Sequence, residues 1–208
     1  MSRWQPGARE RLERAALDLF TEQGFARTTV PQITERAGLT TRTFFRHFAD
    51  KREVLFAGEE HLPDLVARVT AEAPAELGPL DVVVYGLEKA AETLFTDDRL
   101  GFVRARRAVI ASDEGLRERE LRKLDAVTEA MRGAFRERGA DDLTATLAAR
   151  TGVTIFTTAI GRWIDGNGNP SLPESVEQTM AAFREVTGDE PGGRRGRGLA
   201  RDVRGNDG

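Results

Sequence analysis

The sequence predicts an all-α protein of about nine helices, with a small N-terminal three-helix unit followed by a larger helical domain. Apolar residues recur at intervals of three and four along most of the 208 residues, which is the spacing of one helix face. Residues suited to capping, such as Thr29 and Asp113, precede these stripes. Alternating β-branched runs bounded by turns, which would indicate strands, are not found.

The first two helices have clear boundaries. The first is amphipathic, and its stripe can cover two shorter helices. The second begins at a capping box of Thr29 and Gln32, with Pro31 in the first turn, and ends at Gly38, because glycine readily adopts the left-handed closing conformation. The apolar stripes are Leu12, Ala16, Leu19, Phe20 and Phe25 in the first helix and Val30, Ile33 and Ala37 in the second.

The third helix follows a tight turn and has two different faces. Thr40 is its N-cap, and Phe44 and Phe48, four residues apart, form its buried side. Two short helices with a polar outer face on the second present a helix to a DNA groove. Residues 29–48 are therefore interpreted as a helix-turn-helix within a DNA-binding domain of residues 1–56. The outer face consists of Thr41, Arg42, Thr43, Phe45 and His47.

Residues 57–187 are predicted to form the larger helical domain. Asp50 and Glu53 predict a fourth helix from Lys51, which Pro63 should kink or break near residues 60–62. Residues 188–208 hold seven glycines and five arginines, so we expect a disordered tail. The later helices are residues 83–96, Asp97 or Asp98 to 110, 114–138 after Ser112 and Asp113, Asp141 or Asp142 to 163, and Pro173 to 187.

Charge is unevenly distributed along the chain. Residues 1–56 hold ten Lys or Arg against seven Asp or Glu, a net +3. Residues 57–187 hold sixteen against twenty-three, a net −7, and residues 188–208 five against four, a net +1. The N-terminal unit is therefore the part expected to meet a phosphate backbone.

Composition excludes several classes of protein. No stretch approaches the roughly 18 apolar residues of a membrane span, and the N-terminus lacks the apolar run of a signal peptide, so we expect a cytoplasmic protein without a membrane partner. The chain has no cysteine, its histidines are His47 and His61, and it lacks metal-ligand spacings. We therefore expect no catalytic residues, no metal, no cofactor and no enzyme activity.

The N-terminal unit resembles the DNA-binding domain of the tetracycline-repressor (TetR) family. The similarity runs without a gap from Ala8 to Leu55, about a quarter of the chain. It implies a sequence-specific, ligand-responsive regulator, most often a repressor released from operator DNA; a non-specific or architectural DNA-binding protein is the alternative. The matching pieces are residues 15–20, Gly24-Phe25, residues 28–30, Ile33, residues 37–40, residues 43–48 and Asp50-Lys51.

The resemblance implies particular contacts to double-stranded DNA. Thr41, Arg42 and Thr43 are expected to face base edges, and Arg42 can give guanine two hydrogen bonds. Family members often have tyrosine where this chain has Phe45, and a phenyl ring cannot reach a phosphate by hydrogen bonding, so Phe45 either packs on the DNA or belongs to the core. The expected phosphate contacts are Thr28, Thr29, Thr40, Phe45, His47 and Lys51, with Arg46 as a further candidate.

The resemblance also implies that the larger domain forms a homodimer through its last two helices. Small residues between 142 and 163 allow close helix approach, although both helices can instead close one subunit's core. The residues expected at the interface are Ala148, Gly152, Ile155, Ala159, Val176, Met180 and Phe183.

The effector site is expected in the same domain. Arg106 lies between apolar neighbours and can anchor an anionic group beside an apolar cavity, or can extend to an acidic partner instead. The layout of residues 116–119, a long helix and Arg162-Trp163 also resembles regulators grouped with the mycofactocin-system regulator, which implies an acyl-CoA-like effector. The expected pocket residues are Phe95, Phe102, Val103, Arg106, Met131, Phe135, Phe156 and Trp163.

Overall fold

The computed structural model describes residues 7–93, 95 and 99–188, and they form nine α-helices and one 3-10 helix without a strand. The predicted all-α fold is confirmed. The expected tail comprised residues 188–208; Gly188 is described as the C-cap of the last helix, while residues 189–208 and the caps at Asp97 and Asp98 lie outside the described residues. The α-helices are α1 (Ala8–Gln23), α2 (Val30–Ala37), α3 (Thr41–His47), α4 (Leu62–Glu72), α5 (Pro79–Thr93), α6 (Leu100–Ala111), α7 (Glu114–Glu137), α8 (Asp142–Asp165) and α9 (Leu172–Thr187).

The boundaries of α2 and α3 follow the predicted signals. The backbone N–H of Thr29 donates to Oε1 of Gln32 at 2.9 Å, and the Thr29 hydroxyl accepts from the N–H of Gln32, completing the capping box. Gly38 ends α2 with φ 63° and ψ 40°, the left-handed conformation that glycine adopts without a Cβ clash. Thr40 caps α3 by accepting from the N–H of Thr43 at 3.1 Å.

The prediction of a helix that starts at Lys51 is wrong, and the predicted break before Pro63 is confirmed. Only Glu53–Phe56 are helical there, as a short 3-10 helix, and α4 begins at Leu62 with Pro63 in its first turn. Gly58 interrupts the chain with φ 80°. Proline lacks an N–H donor and is tolerated only in the first turn, so the helix restarts there.

Two hydrophobic cores organise the chain. The first buries the apolar faces of α1, α2, α3 and the 3-10 helix, and is completed by Val109 and Ile110 of α6 and Leu116 of α7. The second lies among α5, α7, α8 and α9 around Phe135 and Trp163. The N-terminal unit is therefore packed directly against the start of α7 and the end of α6, so a rearrangement of those helices changes the surface on which it rests.

Helix α8 is long and apolar enough, by length and composition, to cross a membrane. The expectation that no segment approaches such a span is therefore wrong. In the structure α8 packs against α5, α7 and α9, and Ala145, Ala159 and Trp163 of α8 are fully buried in the second core. About a third of this apolar stretch is buried in the subunit, and exposed leucine and threonine residues on the rest of the helix complete its apolar composition.

Candidate nucleic-acid interface

The outer face of α3 is the part of the N-terminal unit that is shaped to enter a groove. Phe44 and Phe48 are buried and fix the opposite side of the helix to the first core. Thr41 and Arg42 are exposed, and the guanidinium of Arg42 has no hydrogen bond to a described residue. The hydroxyl of Thr43 is half-buried and lies 3.0 Å from that of Thr40. Thr41 and Arg42 therefore face outward from a capped helix, together with the Thr43 hydroxyl, which is partly engaged by Thr40.

Phe45 belongs to the surface and not to the core. Its side chain is 59% exposed, and its ring meets Phe44 edge-on with 5.4 Å between the centroids. A large apolar side chain held outward beside Arg42 can pack on sugars or thymine methyl groups. Of the two alternatives for Phe45, burial in the core is thus excluded.

Arg46 and His47 extend the basic edge of α3. Arg46 is exposed and His47 half-buried, and Nη2 of Arg46 lies 3.5 Å from Nε2 of His47. The helix Thr41–His47 contains no acidic residue. A phosphate at this edge would therefore meet two basic side chains and no carboxylate of α3.

Thr28 cannot contact a phosphate through its side chain in this structure. It is 1% exposed, and its hydroxyl lies 2.9 Å from the carbonyl oxygen of Gly24 and accepts from Nε2 of Gln23 at 3.2 Å. This placement does not agree with the phosphate contact expected for Thr28. Thr29, next in the chain, is exposed at the start of α2.

Lys51 also differs from its expected role as a phosphate contact. Its Nζ donates to the carbonyl oxygens of Phe25 at 2.7 Å, Thr28 at 2.9 Å and Ala26 at 3.3 Å, all in the turn between α1 and α2. The ammonium is used within the subunit, although sequence patterns placed it with the phosphate ligands.

Arg11 is a residue of this unit that the sequence analysis missed. Its guanidinium donates to the carbonyl oxygens of Ala37 and Gly38, at the turn between α2 and α3. A Cβ at position 38 would lie 3.0 Å from Nη2 of Arg11. Because the partners are 26 and 27 residues apart, no local spacing could have indicated this contact.

Arg106 is engaged by acidic partners and not by an open cavity. Its Nε donates to the carbonyl oxygen of Leu55 at 2.6 Å, and its Nη2 lies 2.9 Å from Glu59 and 3.2 Å from Glu120. The guanidinium stacks 5.1 Å from the ring of Phe56, while Arg119 covers the same ring at 4.7 Å. We call Phe56 with Arg106 and Arg119 the Phe56 clamp; it joins the N-terminal unit to α6 and α7.

The other expected pocket residues differ in exposure and in position. Phe102 is 38% exposed at the start of α6, beside the guanidinium of Arg99. Phe95 and Phe156 stack edge-on with 5.5 Å between the centroids. The rest lie in or against the second core: Val103, Met131, Phe135 and Trp163.

Two polar atoms of the second core stand out. The indole Nε1 of Trp163 and the hydroxyl of Ser175 are buried without a hydrogen-bond partner among the described residues. An unpaired buried donor costs about 1–3 kcal/mol. Of the expected pocket residues, Trp163 is therefore the one with unused binding capacity in the interior.

The residues expected at a dimer interface lie mostly inside the subunit. Ala148, Gly152, Ile155, Ala159, Val176 and Met180 are buried, and Phe183 is half-buried. They close one subunit's core, which was the alternative reading of the small residues on α8. The exposed faces of α8 and α9 instead carry Leu147, Thr154, Thr158, Gln178, Ala182 and Val186.

A shallow groove of about 340 Å³ lies between α5 and α9, away from the expected pocket residues. Its floor includes Tyr85 and Met180, and Asp81 at its edge lies 3.7 Å from Arg184. No group of histidine and acidic residues in the described part of the chain could hold a metal ion.

Comparison with known proteins gives a consistent picture. The family model described as "Bacterial regulatory proteins, tetR family" matches residues 13–57. The HTH-type transcriptional regulator TcmR of Streptomyces glaucescens is 31% identical over 184 residues, which cover 86% of this chain and 80% of TcmR.

Two solved structures share the fold. SmeT, the repressor of the Stenotrophomonas maltophilia multidrug efflux pump SmeDEF, is 26% identical with a TM-score of 0.54, over 86% of this chain and 90% of SmeT. FadR of Thermus thermophilus, a TetR-family transcriptional repressor solved with lauroyl-CoA, is 25% identical with a TM-score of 0.52, over 91% of this chain and 99% of FadR.

Proposed function

Because this chain belongs to the TetR family of bacterial transcriptional regulators, we propose that it is a homodimeric repressor that reads a pseudo-palindromic operator and is released by a small apolar or acyl-type effector. Such a protein acts on DNA in the cytoplasm and is not an enzyme. The observation that carries the proposal is the outer face of α3, where Thr41 and Arg42 are exposed on a helix fixed from behind by buried Phe44.

Direct readout is supported by the exposed guanidinium of Arg42, which has no hydrogen bond to a described residue. A planar guanidinium can give parallel hydrogen bonds to O6 and N7 of guanine, and a threonine methyl can pack on a thymine methyl. Thr29, Thr40, Arg46 and His47 surround this edge and supply phosphate contacts that fix its register. Phe45 packs against the sugar and base edge beside them.

Dimerisation is proposed through the exposed faces of α8 and α9. Arg162 of α8 donates to Oε1 of Gln178 of α9 at 2.6 Å, so these two faces adjoin. Leu147 is 58% exposed and Val186 is 86% exposed, with threonine and alanine between them. Exposed leucine, valine and small residues, interrupted by Arg150, Arg162 and Glu185, suit a two-fold contact in which both copies use the same helices.

The effector site is proposed beside Trp163 in the second core. Its buried indole N–H lacks a partner among the described residues, and Phe135 is buried in the same core. The FadR relative was solved with lauroyl-CoA, which supports an acyl chain as the first probe. A bound acyl chain would separate the packed side chains of the second core and shift the helices around it.

The proposed mechanism is a population shift. The effector binds a second arrangement of the helical domain more tightly, and that arrangement moves the N-terminal unit away from operator geometry. The Phe56 clamp supports this coupling, because Arg106 on α6 and Arg119 on α7 both touch the 3-10 helix next to α3.

Footprinting on genomic DNA fragments tests the proposed function. We expect purified protein to protect a discrete site with two-fold symmetry in the presence of excess random DNA. Uniform protection of all fragments would instead indicate the alternative, a non-specific or architectural DNA-binding protein. Protection of no fragment would contradict both.

Lauroyl-CoA, with free coenzyme A as control, tests the effector proposal. In a Trp4→Phe variant the fluorescence comes from Trp163, since the chain has two tryptophans. We expect lauroyl-CoA to change this fluorescence and to release the protected fragment, with no effect of coenzyme A. Release without a fluorescence change would move the effector site away from Trp163.

A further inference from the structure

Lys51 occupies a position at the base of the helix-turn-helix. It follows α3 by four residues, yet its Nζ lies among three carbonyl oxygens of residues 25–28, before α2 begins. The side chain therefore connects the chain just before the helix-turn-helix with the chain just after it. This link spans 23 to 26 residues of sequence.

The ammonium has no hydrogen-bonding capacity left over in this arrangement. A lysine has three N–H donors, and Nζ of Lys51 has three carbonyl acceptors, of Phe25, Ala26 and Thr28. The same nitrogen lies 4.3 Å from the centroid of the Phe25 ring, a cation–π distance. To bind a phosphate directly, Lys51 would have to give up these contacts.

Lys51 holds the segment that fixes the direction of α2. The Thr28 hydroxyl lies within hydrogen-bond distance of the carbonyl oxygens of Gly24 and Leu19, and the next residue, Thr29, is the N-cap of α2. Lys51 binds the carbonyl of that same Thr28. Loss of this bond would loosen the start of α2 and, through it, the placement of α3.

We infer that Lys51 is a positioning residue of the DNA-reading unit and not a phosphate ligand. It closes the base of the helix-turn-helix by binding the carbonyls of the α1–α2 turn, and thereby sets the angle at which α3 meets DNA. This inference rests on the proposed function.

The test compares Lys51→Met with the wild type on the fragment protected in footprinting and on a random duplex of equal length. Methionine keeps an unbranched stem and removes the donors and the charge. A phosphate contact contributes about 0.9 to the slope of log K against log salt. We expect an unchanged slope on the random duplex and at least a tenfold loss of affinity for the protected fragment, so that the ratio of the two affinities falls.

Amide exchange gives a second readout that a general loss of stability would not produce. We expect faster exchange in residues 28–33 of Lys51→Met, with unchanged rates in α8. Arg52→Met is the matched control, because it removes the same charge one residue further on and Arg52 bonds to Asp50, not to the α1–α2 turn. We expect it to leave the affinity ratio and the exchange rates unchanged.

A slope reduced by about 0.9 with an unchanged affinity ratio would overturn the inference and restore Lys51 as a phosphate ligand. Failure of the wild-type protein to protect any fragment would instead contradict the proposed function. If Lys51→Met does not fold, Lys51→Gln is measured in the same way. Its shorter side chain carries no charge and has two donors for the three carbonyls, so we expect a smaller fall of the affinity ratio, again with an unchanged slope.

Discussion

At the scale of single residues, the structure separates side chains that can reach DNA from side chains that hold the helix in place. Arg42 and Phe45 point outward, whereas Thr28 and Lys51 are occupied within the α1–α2 turn. Thr28 and Lys51 belong to the family-like pattern, but a pattern does not record whether a donor is already used. The hydrogen bonds of each side chain decide that question.

Arg42→Ala should weaken binding to the protected fragment by about 1–3 kcal/mol per half-site and relax the choice of one base pair there. The reason is the loss of two hydrogen bonds to a guanine. Competition binding with single-base variants of the fragment measures this effect. Arg36→Ala is the control, because Arg36 pairs with Glu22 at 2.8 Å. An equal loss on random DNA would argue against direct readout.

At the scale of helices, the outward faces of α8 and α9 carry the proposed dimer contact. The side chains chosen by spacing alone point inward, because small residues serve equally well for packing within a subunit as between subunits. Exposed alanines and threonines on the other sides of the same helices are therefore the surface to test.

Ala182→Glu should convert the dimer to a monomer, because it places two like charges near a two-fold axis. Operator affinity should fall at least a hundredfold, because a monomer brings only one recognition helix to the operator. Sedimentation measures the mass. Ala126→Glu, on the exposed face of α7, is the matched control and should stay dimeric. A dimeric Ala182→Glu protein would place the contact elsewhere.

The ion pairs around the Phe56 clamp predict how the stability of the protein depends on pH. Burial by itself raises the pKa of Glu120, but the charges of Lys123 and Arg106 outweigh this and hold the pKa below its ordinary value. Stability from such a carboxylate is present at neutral pH and is lost as the pH falls through the lowered pKa.

Glu120→Gln should therefore lower the free energy of unfolding by about 1–3 kcal/mol at neutral pH. The difference from the wild type should vanish in acid, where the wild-type carboxyl is also neutral. Denaturant unfolding at both pH values measures this. Glu118→Gln is the control, since Glu118 pairs with Arg122 on the exposed side of the same helix. A difference that persists in acid would indicate a packing effect.

At the scale of the whole molecule, the charge distribution and the position of the helix-turn-helix favour the same orientation of the protein on DNA. Residues 1–56, which include the proposed DNA-binding unit, carry a net +3, and residues 57–187 carry a net −7. The phosphate backbone would repel the acidic part, so this charge distribution favours approach by the basic N-terminal unit. Two copies joined through α8 and α9 would then present two recognition helices to the same side of a duplex.

Inserting about five base pairs between the half-sites of the protected fragment should abolish tight binding, because half a helical turn places the half-sites on opposite sides of the DNA. Insertion of a full helical turn should restore binding only if the two DNA-binding units of the dimer can move further apart. Gel-shift titration measures both, with a substitution of equal length outside the half-sites as control. Unchanged affinity after the short insertion would mean that each copy binds alone.

The sequence by itself determined the all-α fold, several helix caps and the family. Thr29, Gly38, Thr40 and Asp113 act on groups within a few residues, so their effect can be predicted locally. It also placed Arg42 correctly on the outer face of α3, because helical spacing relative to Phe44 and Phe48 fixes that face.

Only the tertiary structure decided the use of Lys51, Arg11 and Arg106, and which sides of α8 and α9 remain exposed. The partners of these three cations lie 14 to 51 residues away in sequence. A long basic side chain binds whichever acceptor the fold brings within its reach, and that acceptor is set by the packing of distant helices, which no local spacing encodes.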